Sequence, residues 1–83
     1  MNDVPYRAIS CDFHDLLEAA ATLRSLVVLE MRDPAGATQR VHARIDDILT
    51  RPDGEYVQLD TGQPVRLDRI VSIDGARLAD YPD

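Results

Sequence analysis

Along this chain the spacing of apolar residues changes period once, and that switch constrains the fold more than any single motif. Phe13, Leu16, Leu17, Ala20 and Leu23 recur at helical spacing, with His14, Asp15, Glu18 and Thr22 on the other side. From Ser25 onward the apolar residues come in short β-branched or aliphatic runs. Turn signals cut these runs: Asp-Pro-Ala-Gly at 33–36, Arg-Pro-Asp-Gly at 51–54 and Thr-Gly-Gln at 61–63. The pattern predicts one helix followed by short strands on hairpin-scale connections.

Residues 1–10 read as an extended lead-in, 12–24 as the helix, 25–74 as the strands, and 75–83 as a tail that loses periodicity and frays. Asp12 suits the helix N-cap, and Asp15 three residues later resembles a capping box with the shorter acid. In the second strand Val41, Ala43 and Ile45 alternate with Arg40, His42 and Arg44. That register breaks at Asp46-Asp47, before Ile48 and Leu49, as at a bulge or sharp bend. Glu55 to Asp60, Pro64 to Leu67 and Ile70 to Ile73 supply three more strands, with Asp68-Arg69 as a one-turn link. About five strands this short hide their edges best by closing into a small barrel, with the helix over one end or face.

A chain of 83 residues makes one small domain (1–83) with a marginal core and little room for a deep enclosed pocket. Its single cysteine permits no internal disulfide and fits a reducing compartment. No apolar run has membrane-span length, and the N-terminus lacks the basic and apolar regions of a signal peptide, so a cytoplasmic location is expected.

Charge narrows the partner. Fifteen acids oppose nine basic residues, all arginine, for a net charge of −6 and a pI near 4.6. Nucleic-acid backbones are held by a basic excess, so direct RNA or DNA binding is disfavoured. An acidic domain is better matched to a basic protein surface, although net acidity also serves solubility alone.

The stretch from Ser10 to Ala21 gathers Cys11, Asp12, His14, Asp15 and Glu18. Nucleophilic catalysis by Cys11 with His14 and Asp15 has no accompanying oxyanion-forming motif, and a small thiol packed under the helix start is the simpler reading. A metal site lacks its second half, because no CxxC or HxxxH joins Cys11 and His14, and His42 occupies an outward strand position. There is no nucleotide-binding glycine motif, and the acids of 53–60 lack calcium-loop spacing. No catalytic residue, metal or cofactor is assigned. Asp12 and Asp15 have a local explanation at the helix start, whereas Glu18 lies beyond the first turn. With Phe13, Leu16 and Leu17 facing inward, His14, Asp15 and Glu18 form one outward patch, either solvated or a docking surface.

The run Tyr6, Ile9, Cys11, Asp12, Asp15, Leu17, Glu18 resembles the signature of the Rho-binding antiterminator (Rof) family. The likeness extends through the aliphatic first strand, the strand from Glu55 to Asp60 and the ending from Arg66 to Ile73, covering roughly residues 6–74. It implies an Sm-like fold, a helix on a strongly bent barrel of five to seven strands. It also implies a non-enzymatic protein that binds the N-terminal RNA-binding domain of transcription termination factor Rho and keeps RNA from its primary site. By the same resemblance, Asp12, Asp15 and Glu18 make the contact, and Arg51 and Asp53 belong to a second contact region. His14 stands where relatives often carry an aromatic, and Phe13 where they often carry an acid. The free protein is expected to be a monomer. Two other readings stay open: an Sm-like domain that binds RNA directly, and an acidic adaptor for another basic protein.

Overall fold

A computed structural model of the chain describes residues 5–81. The helix α1 spans Cys11–Leu23, and its N-cap is Ser10 rather than Asp12. Ser10 has extended backbone (φ −64°, ψ 151°), and its Oγ accepts a hydrogen bond from the Phe13 N–H at 3.3 Å. Asp12 already has helical backbone and cannot serve as the cap. It acts instead as a first-turn acid on the helix dipole. At the other end Arg24 adopts the left-handed conformation (φ 50°, ψ 39°) and donates its N–H to the carbonyls of Ala20 and Ala21.

Helix geometry decides which of the apolar residues reach the core. Phe13, Leu17 and Ala20 are buried and Leu16 is half-buried, but Leu23 remains 75% exposed. At about 100° per residue, Leu23 has turned roughly 80° away from the direction of Phe13. The same rotation overturns the expectation for Cys11. Two residues before Phe13, it lies on the far side of the helix and is exposed, not packed beneath it.

Among the described residues seven strands follow: β1 Val27–Arg32, β2 Thr38–Ala43, β3 Ile45–Arg51, β4 Gly54–Leu59, β5 Pro64–Arg66, β6 Ile70–Ile73 and β7 Ala76–Arg77. They form two antiparallel sheets, one ordered β2-β1-β6-β7 and the other β3-β4-β5, so the hydrogen-bond ladders define open sheets. The expected count of about five is corrected at two places. The long second strand divides at Arg44, and a further bulge lies between Ile45 and Asp47, where the alternation broke. The Asp68-Arg69 link is a 3₁₀ turn, Leu67–Arg69.

The second correction concerns the tail. Residues 76–81 do not fray, and residues 82–83 of the expected tail lie outside the described residues. Asp74 (φ 49°) and Gly75 (φ 86°) both take left-handed backbone, the requirement of a tight two-residue hairpin, and return the chain so that Ile73 pairs with Ala76. Asp74 is tied to β1 as well, donating its N–H to the Val28 carbonyl at 2.9 Å and accepting the Val28 N–H at 2.8 Å. A second 3₁₀ turn, Leu78–Asp80, brings the Tyr81 ring to 5.7 Å from Phe13, centroid to centroid.

The core lies between helix and sheets, where Phe13, Leu17, Leu29, Ile45, Val57 and Leu67 are completely buried. Tyr6 of the lead-in packs on this core and lies directly over Gly54. A Cβ at Gly54 would sit 2.6 Å from the Tyr6 ring, so glycine is required there by close approach as well as by its φ of 141°. No helix among the described residues is long and apolar enough to cross a membrane.

Candidate docking face

α1 packs against β3, which puts its polar side beside the β3–β4 hairpin. His14 joins the two elements. Its Nδ1 donates to Glu18 Oε1 at 2.8 Å, one helical turn on, and its Nε2 donates to Glu55 Oε2 at 3.3 Å. Both partners are carboxylates and only accept, so the arrangement requires a proton on each ring nitrogen, the imidazolium form. Burial alone would lower the His14 pKa. The hydrogen bonds and charges of Glu55 and Glu18 outweigh it and raise the value above the ordinary 6.5. His14 is therefore not a free member of an outward patch, as its spacing suggested. It is half-buried and clamped between two acids.

Asp12 and Asp15 are exposed, and neither carboxylate has a hydrogen-bond partner among the described residues. Asp15 nonetheless belongs to the same cluster, since ligand atoms of His14, Asp15 and Glu18 lie within 4.8 Å of one another. Cys11 is outside this group, so the Cys11–His14 half-site weighed above does not assemble. Both His14 nitrogens face carboxylates, and no bond joins it to Cys11.

The hairpin residues are held by Tyr56. Its hydroxyl donates to Asp53 Oδ2 at 2.7 Å, and the Arg51 guanidinium lies 4.9 Å from its ring centroid. The bond to Asp53, together with partial burial, raises the Tyr56 pKa. Arg51, Asp53 and Glu55 border an open cleft of about 580 Å³ with Tyr6 and Tyr56. Tyr6 lies deep enough that burial, followed by the charges of Glu55 and Asp68, raises its pKa.

The structure thus brings His14, Asp15 and Glu18 together on α1 and sets Glu55 beside them. Arg51 and Asp53 lie next to Glu55 at the hairpin turn, with Tyr56 between them. Glu55 and Tyr56 were not among the residues singled out from sequence. Glu55 meets His14 across 41 residues, and no local pattern could reveal that contact. What the face offers is a surface of acids around one histidine whose pKa they raise, suited to basic groups of a partner.

A family model described as "Modulator of Rho-dependent transcription termination (ROF)" matches residues 8–80. A search of curated proteins finds no match.

Proposed function

The chain belongs to the ROF family of modulators of Rho-dependent transcription termination, and on that premise we propose that it docks on Rho and blocks RNA access. The contact is made to the N-terminal RNA-binding domain of Rho by Asp12, His14, Asp15 and Glu18 of α1 together with Arg51 and Asp53 of the hairpin. A surface that holds RNA must be basic, and an acidic face occupies or flanks it while competing with phosphates. The protein acts in the cytoplasm as a monomer and without catalysis. An Sm-like barrel built from these two sheets is what the family resemblance implies.

One observation supports this reading most: the His14 bridge between Glu18 and Glu55. It fastens the helix face to the hairpin, so the acids of both elements meet a partner as one preorganised surface, with less ordering needed on binding. The test is competition. Purified Rho is loaded with a C-rich RNA, and the protein is titrated in while RNA release and Rho capture are both measured. Displacement of RNA with formation of a protein–Rho complex is expected. Unchanged RNA affinity at saturating protein overturns the reading.

A further inference from the structure

Most arginines of this acidic chain are not spread among its acids. Arg7, Arg32, Arg66 and Arg69 line one open cleft of about 730 Å³, which Ser10 at the N-terminal end of α1 also borders. Arg77 joins Arg32 and Arg69 in the walls of the adjoining hollow. Among the described residues the only acid lining the larger cleft is Asp68, and it is already engaged. Its Oδ1 accepts from Arg66 Nε at 2.6 Å, and its Oδ2 accepts the Arg7 backbone N–H at 3.0 Å. Among the described residues no carboxylate lies within salt-bridge distance of Arg7, Arg32, Arg69 or Arg77, although Arg40 and Arg44 do pair with acids.

Arg66 adds a second observation. Its side chain is only 13% exposed, held by Asp68 and by the Tyr6 ring, 5.9 Å from the guanidinium carbon. Its Nη2 is buried and has no acceptor among the described residues. A buried guanidinium N–H without an acceptor is costly, and it keeps Arg66 a full cation beside the cleft. Ser10, the helix N-cap, borders the same cleft, so the positive end of the helix dipole adds to the field.

We propose that this cleft is an anion site for a compact polyphosphate, the diphosphate or triphosphate end of a nucleotide-sized molecule. Guanidinium groups match phosphate oxygens in bidentate pairs, and several converge here with little competing negative charge. The volume falls within the range of small-ligand sites, roughly 300–1,000 Å³. Ile9, Leu78 and Tyr81 supply an apolar wall for an attached organic group. A long RNA backbone fits less well, because beyond the cleft it would run over a surface whose net charge is −6. Pro5 and Arg66 border both this cleft and the one beside Asp53 and Glu55, but the test needs no Rho, so either reading can fail alone.

The experiment is calorimetric titration of the free full-length protein with inorganic pyrophosphate, with ADP, and with a short single-stranded RNA. Pyrophosphate is expected to bind, and the Arg32→Gln/Arg69→Gln variant to bind it about tenfold more weakly or worse. Arg24→Gln, at the opposite end of α1, is expected to bind as the unaltered protein does. ADP binding more tightly than pyrophosphate assigns the site to a nucleotide, and equal affinities assign it to the phosphate groups alone. If the glutamine pair does not fold, Arg32→Lys/Arg69→Lys keeps the charge, removes the planar fork and should still weaken binding. No pyrophosphate binding at millimolar concentration overturns the proposal. So does equal loss in Arg24→Gln, or RNA binding more tightly than ADP through the same arginines.

Discussion

His14 Nε2 lies 3.3 Å from the Glu55 carboxylate and locks α1 to the β3–β4 hairpin. With Glu18 on the other nitrogen, and Asp15 close by, the folded state favours the imidazolium and raises its pKa above 6.5. The unfolded chain has no such preference. The stabilisation is therefore complete below about pH 6.5 and is lost as pH rises through the raised value. Urea denaturation of the protein and of His14→Gln over a pH series checks this. The difference in stability should be largest at the acid end and should shrink above neutrality. A difference that grows with pH contradicts the bridge.

Charge reversal on the helix face separates docking from folding. Asp15→Arg and Glu18→Arg should each weaken Rho binding about tenfold, and the loss should diminish as salt screens the contact. Asp15→Arg should leave the melting temperature nearly unchanged. Glu18→Arg also removes the exposed bond to His14, a loss of only a few tenths of a kcal/mol. Normal Rho binding by both variants, measured by interference or calorimetry, would rule out this face as the contact.

Gly54→Ala should destabilise the fold by about 2 kcal/mol or more, since it adds a Cβ against the Tyr6 ring and strains a backbone at φ 141°. Tyr6→Ala in the same background should recover the steric part and leave the conformational part. Thermal melts of the two single variants and the double variant measure this coupling. Additive effects would mean that the two residues do not meet.

Tyr81→Ala should cost about 1–2 kcal/mol, because the ring covers Phe13. Phe13→Ala, completely buried, should cost about 3–5 kcal/mol. A melting temperature unchanged by Tyr81→Ala would restore the picture of a loose tail.

Much of the fold was legible because it is written in short-range chemistry. The single change of period located α1 and β1, the proline and glycine turns separated the strands, and the doubled aspartate at 46–47 marked the bulge. Two local signals are ambiguous in the sequence. Ser10 and Asp12 are both good caps by residue type, and the backbone conformation of Ser10 decides between them. Asp74-Gly75 is a strong hairpin signal that announces β7, but the strand after it is two residues long and leaves no apolar periodicity to read.

By itself the sequence determined what depends on neighbours along the chain: a helix with one apolar stripe, strands of a given length, and an acidic balance that disfavours a nucleic-acid backbone. Only the tertiary structure decided what depends on distant segments meeting. It placed Glu55 against His14, slid Tyr6 over Gly54, returned Tyr81 to Phe13, and gathered Arg7, Arg32, Arg66 and Arg69 around one cleft. The reason is physical. Turn and helix preferences act over a few residues, whereas these contacts are set by how helix and sheets pack to bury one shared core.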